Sequence, residues 1–217
     1  MMILYGSTLS PFVRKVMVFA AEKGVEIELK PTGAPDHEPD FCTASPFKKM
    51  PALKDGDYEL ADSSAIIHYL EAKYPEPALI PAEPRARGRT IWFEEFSDTI
   101  LFGCGAKVFF NRIVSPYFFK RPGNEEVAEA AIRDELPPIM AYLEKIVPGD
   151  TGYLVGDSIT LADIAVASPF ANFQHLDLSI DDYPRTAAYV RRILARPSFS
   201  QWIAREAAIL AKVREAA

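Results

Sequence analysis

Three short stretches carry residues whose types and spacing could do chemistry. In "STLSPFVRKV" (7–16), Ser10 stands directly before Pro11 where an apolar strand gives way to a helical pattern. A serine there can accept from an orphan N–H as a helix cap, with proline tolerated in the first turn, or it can offer its hydroxyl to a substrate. In "KKMPAL" (48–53), Pro51 enters a strand edge. A cis Met50–Pro51 bond would turn the Met50 backbone outward, where its N–H and C=O could pair with a ligand lying alongside as an extra strand. In "ADSSAII" (61–67), Asp62 and Ser63 begin a helix. One of them can cap it, and together they suit a zwitterion: the carboxylate takes an ammonium, while the hydroxyl and helix N–H groups take a carboxylate.

The elements that must position these residues follow from periodicity. "MILY" (2–5) reads as a strand, residues from Phe12 to about Gly24 as an amphipathic helix, and "EIELK" (26–30) as a second strand. After an irregular stretch, "PALKDGDYEL" (51–60) predicts a hairpin around Asp55-Gly56, and "SSAIIHYLEAKY" (63–74) a helix. The order is βαβ, a variable segment, then ββα. Prolines crowd "PEPALIPAEPRARG" (75–88), so the chain divides into a first domain over 1–76, a linker over 77–87 and a second domain over 88–217. The second domain is helical in pattern, with Leu136, Ile139, Met140 and Leu143 on one face and Pro137-Pro138 predicting a kink or a restarted helix.

Bulk properties narrow the function classes. A formal net charge of -6 argues against general affinity for nucleic acid or an anionic membrane, because phosphates are held mainly by clustered Lys and Arg. No apolar run is long enough to span a bilayer, and the start lacks the pattern of a secretory signal. Cys42 and Cys104 match no metal or redox spacing, which suits free thiols in a reducing compartment and a cytoplasmic location. His37, His68 and His175 are scattered, so no metal site is expected.

Taken together, "SPFVRK", "SPFKKMPAL" and "ADSSAIIHYLE" resemble the landmarks of the cytosolic glutathione transferases, and "GDSITLADIAV" (156–166) resembles that family's buried N-capping motif. In that motif Thr160 would cap a helix and Asp163 would reach back to the cap N–H, with Ile159 and Ile164 as the hydrophobic staple. The resemblance implies an α/β thioredoxin-like N-terminal domain that binds glutathione and an all-α C-terminal domain that contributes the electrophile site. It assigns Ser10 to the glutathione sulfur, as in the serine-type classes (theta, phi, tau), with "SPF" most like tau. It gives Met50 and Pro51 to the cysteinyl backbone, Asp62 and Ser63 to the γ-glutamyl end, and Lys49 to the glycyl end, with His37 near the place where another glycyl-binding residue of the family often lies. Asp62 stands where a longer glutamate is commoner.

The aromatic segment "CGAKVFFNRIVSPYFF" (104–119) supplies Phe110, Asn111 and Tyr117 as candidates for holding a flat, apolar electrophile. By the same resemblance glutathione is a co-substrate, and the protein is a homodimer in which Phe47 is a candidate contact. The reaction expected is thiolate attack on an electrophilic carbon. Glutathione-dependent ether cleavage or cis-trans isomerisation is a close alternative, although the paired "SSC" signature of the isomerase class is absent. A non-catalytic binding protein on the same fold is the alternative from a different class.

Overall fold

The computed structural model describes residues 1–32 and 39–216 and divides into two compact units, Met1–Ile80 and Pro81–Ala217. His37 lies outside the described residues.

The first unit holds β1 (Met2–Tyr5), α1 (Pro11–Glu22), β2 (Ile27–Lys30), α2 (Pro39–Ala44), β3 (Ala52–Asp55), β4 (Tyr58–Ala61) and α3 (Ser63–Lys73). Its four strands pair in the order β2-β1-β3-β4, with β2 parallel to β1 and β3 antiparallel to both β1 and β4. Apolar alternation explains the layers. Leu4 and Leu53 are buried in the sheet, as are Val13 and Val16 of α1 and Ile66, Ile67 and Leu70 of α3. Tyr5, Phe41, Ala44 and Ala52 form a separate cluster, with Met50 packed against it. This is the thioredoxin-like architecture that the sequence led us to expect.

Two details differ from the sequence reading. The irregular stretch before Pro51 contains α2, whose six residues bury only Phe41 and Ala44 and so give no readable period. The hairpin turn is Gly56-Asp57, one residue later than expected, with Gly56 at φ +65.

The second unit is all helical. One run continues from α4 (Pro84–Glu95) through a π-helical stretch (Phe96–Leu101), α5 (Phe102–Phe109) and a second π-helical stretch (Phe110–Phe118). A second run joins α6 (Glu125–Ala130) to α7 (Leu136–Ile146) through a π-helical stretch over Ala131–Glu135. Then come α8 (Leu161–His175), α9 (Pro184–Leu194) and α10 (Pro197–Glu215). Helix α8 is buried almost all round, as a central core helix should be.

Pro137 and Pro138 fall in the first turn of α7, directly after the π-helical stretch, and Glu135 and Leu136 are both in the right-handed helical region, so the run continues through the prolines without a break. The proline-rich stretch over 77–87 is not all connector: α4 begins inside it at Pro84, and Glu83 caps it by accepting from the N–H groups of Arg85 (3.0 Å) and Ala86 (2.7 Å). The capping box forms as read, with Thr160 N–H donating to Asp163 Oδ2 at 2.9 Å. Asp163 does more than cap, because its Oδ1 also accepts from Leu154 N (2.9 Å) and Tyr189 OH (2.8 Å). No helix among the described residues is long and apolar enough to cross a membrane.

Candidate functional site

Strand register brings the three stretches to one end of the sheet. Tyr5, the last residue of β1, pairs with Ala52, the first of β3, and Ala52 pairs with Ala61, the last of β4. The turn to Ser10, the Met50-Pro51 entry and the Asp62-Ser63 start of α3 therefore emerge side by side. With strands about 4.8 Å apart, the row from β1 across β3 to β4 spans about 10 Å, the length of an extended tripeptide at about 3.3 Å per residue.

Ser10 holds the N-cap position of α1 with extended backbone (φ -79, ψ 123), yet its hydroxyl makes no cap hydrogen bond. Its backbone is fixed on both sides: its N–H donates to Ser7 O at 2.9 Å, and its carbonyl accepts from Arg14 N at 3.0 Å. The neighbouring Ser7 is used locally, since its Oγ accepts from Leu9 N at 3.4 Å.

Met50–Pro51 is cis. Neither the N–H nor the carbonyl of Met50 is hydrogen-bonded among the described residues, so one peptide edge is open to an incoming chain. Gly6 makes room beside it. At φ +153 it adopts a backbone disfavoured for L side chains, and a Cβ there would lie 2.6 Å from Val13 Cγ2 and 3.4 Å from Met50 Cβ. The preceding loop is pinned by Ser45, whose Oγ donates to Lys49 O (2.7 Å) and accepts from Lys49 N (3.0 Å). The side chain of Lys49 is exposed.

Asp62 is the cap of α3. Its Oδ1 accepts from Ser64 N at 2.9 Å and Ala65 N at 3.1 Å, which leaves Oδ2 uncommitted. At φ +81 and ψ 132 it occupies a region rarely adopted by residues other than glycine, the kind of local strain that concentrates at ligand sites. Ser63 is buried, and its hydroxyl has no hydrogen bond among the described residues.

The sequence reading missed Lys15. This residue is 1% exposed, and its Nζ donates to Ser64 Oγ at 3.4 Å, linking the helix that begins at Ser10 to the start of α3. A basic residue inside the apolar pattern of α1 was the signal. Also missed was Lys23, fully buried, which donates to Glu71 Oε2 (2.6 Å) and Pro77 O (2.7 Å). Glu71 in turn accepts from Leu79 N (3.1 Å) and Ile80 N (3.0 Å), tying the end of the first unit to α1 and α3.

Phe110, Asn111 and Tyr117 lie together on the second π-helical stretch of the helical unit. Phe110 is exposed and faces Phe119 at a ring-centroid distance of 6.1 Å, and Tyr117 is half-buried. Both ends of the Asn111 amide are engaged: Nδ2 donates to Lys107 O (2.7 Å) and Oδ1 accepts from Asn124 N (2.8 Å). That side chain clamps the loop after the helix and has little capacity left for a ligand.

The cysteines are free thiols. Burial, and secondarily the charge of Glu135, push the Cys104 thiol up to about 11, so it is no thiolate nucleophile at neutral pH. No group of His, Cys, Asp and Glu among the described residues could hold a metal ion.

Comparison with known proteins accords with this geometry. Residues 4–78 match the family described as glutathione S-transferase, N-terminal domain, and residues 109–206 match its C-terminal domain. A glutathione S-transferase of Hyoscyamus muticus is 31% identical over 92% of this chain and 96% of its own length. A maleylacetoacetate isomerase of Rattus norvegicus is 29% identical, over 91% of this chain and 89% of its own. The crystal structure of a glutathione S-transferase from Methylobacterium radiotolerans, in complex with glutathione sulfonate, superposes with a TM-score of 0.76 at 27% identity, covering 93% of this chain and 94% of that one. With both units matched and the relatives aligned almost end to end, the chain belongs to the glutathione S-transferase family, enzymes that take glutathione as co-substrate.

Proposed function

We propose that this enzyme is a serine-type glutathione S-transferase that conjugates glutathione to an apolar electrophile. The observation that carries the reading is the convergence of Ser10, Met50 and Asp62-Ser63 at one sheet end, each with hydrogen-bonding capacity left over. Ser10 donates its hydroxyl to the glutathione sulfur and stabilises the thiolate. Met50, turned by Pro51, pairs through its backbone with the cysteinyl residue. Asp62 Oδ2 takes the γ-glutamyl ammonium, while Ser63 and the N-terminus of α3 take the α-carboxylate. Lys49 serves the glycyl carboxylate, and His37 is the second candidate for that end.

Chemically, the bound thiol loses its proton to solvent, and the thiolate donates an electron pair to the electrophilic carbon. A carbon–sulfur bond forms, and a leaving group, where there is one, departs with its own pair. Rate is gained from proximity and from a higher thiolate fraction. Phe110 and Tyr117 supply aromatic surface for the electrophile, with Asn111 holding the loop behind them.

The same thiolate could displace an aryl oxide or add reversibly across a double bond. The isomerase relative makes the second reaction the nearest alternative. The reading includes a cytoplasmic homodimer: both cysteines are free, and Phe47 offers an 87% exposed ring to a second copy.

Isothermal titration of glutathione into wild type and Asp62→Asn, alongside conjugation of an activated chloroarene, tests the assignment. Binding and turnover in wild type, with glutathione affinity at least tenfold weaker in the variant, are expected. A folded wild type that binds no glutathione would transfer the chain to the non-catalytic class.

A further inference from the structure

Lys15 is buried on a helix whose Val13, Val16, Val18 and Phe19 are buried as well, and it is itself 1% exposed. An unbranched apolar side chain such as methionine would occupy a similar volume there, whereas a buried ammonium costs free energy unless its head is bonded. What the head touches is therefore the informative part. The side chain runs back along α1, as helical side chains do, and brings Nζ to 6.0 Å from the ring centroid of Phe12 in the first turn. From there Nζ donates to Ser64 Oγ at 3.4 Å, in the first turn of α3.

That bond does something the cap of α3 does not. The bonds from Ser64 N (2.9 Å) and Ala65 N (3.1 Å) to Asp62 Oδ1 fix the carboxylate against its own helix, and Ile66 N donating to Asp62 O at 3.0 Å closes the turn. All three lie within residues 62–66, so none of them sets where this turn stands relative to Ser10. The bond from Lys15 does, because Lys15 belongs to the helix that Ser10 opens, and Ser64 directly follows Ser63. Asp62, at φ +81, also needs neighbours that over-determine its backbone.

We propose that Lys15 is a positioning residue for the γ-glutamyl end of glutathione: through Ser64 it holds the Asp62 carboxylate and the Ser63 hydroxyl at a fixed offset from Ser10. The inference rests on the site reading under Proposed function and adds to it the residue that sets the spacing between the two ends of the site. On this assignment Lys15 touches neither the sulfur nor the reacting carbon. It governs capture of glutathione and leaves ionisation of the bound thiol alone.

The test is steady-state conjugation of the activated chloroarene with glutathione and with cysteinylglycine, which lacks the γ-glutamyl group, in wild type, Asp62→Asn, Lys15→Met, Ser64→Ala and the double variant of the last two. Ser64→Ala removes the acceptor, keeps the backbone N–H that caps with Asp62 and leaves Lys15 in place, so it decides the matter even where Lys15→Met does not fold. The KM for glutathione should rise about three- to tenfold in each of these two single variants, and no further in the double variant. The kcat, the pKa of the bound thiol and the KM for cysteinylglycine should stay as in wild type. A general loosening of the fold would raise both KM values together. A wild-type KM for glutathione in Ser64→Ala, equal rises for the two thiols, additive losses in the double variant, or a shifted thiol pKa would each overturn the proposal. Asp62→Asn separates the two possible failures. If it weakens glutathione capture while Ser64→Ala does not, the site reading stands and the role of Lys15 falls; if it captures glutathione as wild type does, the site reading falls and this proposal with it.

Discussion

Replacing Ser10 with alanine separates its two roles, because the structure predicts different quantities to move. As a helix cap, the serine would be worth about 0.5–2 kcal/mol of stability. Its hydroxyl makes no cap bond, so Ser10→Ala should leave the unfolding free energy within about 0.5 kcal/mol of wild type, the range of substitutions away from such features. As thiolate partner, it supplies one hydrogen bond to a charged acceptor, about 1.5–3 kcal/mol. At 1.36 kcal/mol per unit this is about 1.1–2.2 units of thiol pKa. The N-terminus of α1 adds about 0.3–1 kcal/mol, and that part survives the substitution. Starting from a free thiol near 8.5, glutathione bound to wild type should titrate around 6–7 and glutathione bound to the variant around 8. The sign is definite: stabilising the anion lowers the pKa, so wild type holds more thiolate at every pH below the variant's value. Conjugation at pH 6 should therefore fall by about ten- to 90-fold, because a wild-type thiol titrating near 6 is already about half ionised there, and the gap should close as pH rises past the variant's thiol pKa. Ultraviolet thiolate absorbance against pH, with glutathione saturating, reads the shift directly. An unchanged thiol pKa together with a loss of about 1 kcal/mol in stability would refute the assignment and return Ser10 to capping.

Glu71→Gln should cost about 3–5 kcal/mol in chemical denaturation, because it strands the fully buried ammonium of Lys23. Lys23→Met should cost less, since Glu71 keeps the N–H groups of Leu79 and Ile80 and is 13% exposed; equal losses would contradict this asymmetry. Gly123→Ala would place a Cβ 1.7 Å from the carbonyl oxygen of Asn111, so the backbone must shift and the bond from Asn124 N to Asn111 Oδ1 must lengthen. A loss of about 1–3 kcal/mol is expected by calorimetry, and an unchanged Tm would show that the loop gives way freely. In the proposed homodimer Phe47→Ser removes one side chain from each protomer, each worth about 1.5–3 kcal/mol if buried there, so dimer dissociation measured by sedimentation should become roughly a hundred- to ten-thousand-fold easier, and an unchanged constant would place Phe47 outside the interface. Asp55 is held below the usual carboxylate range by the hydrogen bond from Lys73 and then by that from Tyr69. A depressed folded pKa contributes stability that is present above about pH 3.9 and lost as pH falls through the folded value, so Asp55→Asn should flatten the acid limb of stability against pH; an unaltered limb would remove Asp55 from that account.

What was legible in the sequence depended on repetition along the chain. Strand β1 declared itself as a compact β-prone run, β2 through alternation, β3 and β4 through the Asp-Gly turn signal between them, α1 and α3 as helical patterns, and the capping box through its fixed three-residue offset. Helix α2 did not, because two buried side chains in six residues set no period. The start of α4 was hidden among prolines, and its cap is a glutamate, a residue outside the usual capping set. Pairings between distant charges, such as Lys23 with Glu71, leave no periodic trace at all. The same holds within the site. Ser10, Met50 and Asp62 were readable as motifs, while the support from Lys15 and Gly6 exists only once α1, α3 and β3 are packed together.

The two helix starts at this sheet end meet the same demand in different ways. At α3 the acid is shared: one oxygen of Asp62 closes the helix with two N–H bonds, and the other remains available to a ligand. Its capping geometry holds the carboxylate in place before any ligand arrives, so little ordering entropy is left for binding to cost. At α1 the hydroxyl is withheld from capping, and the turn is instead fixed by backbone bonds through Ser7 and Arg14 and by proline in the first turn. A hydroxyl already bonded to the helix would have to exchange that partner for the sulfur, and the thiolate would gain only the difference between the two bonds. On the proposed assignment, leaving Ser10 out of the cap would make the full strength of its hydrogen bond available to the charged form of the thiol.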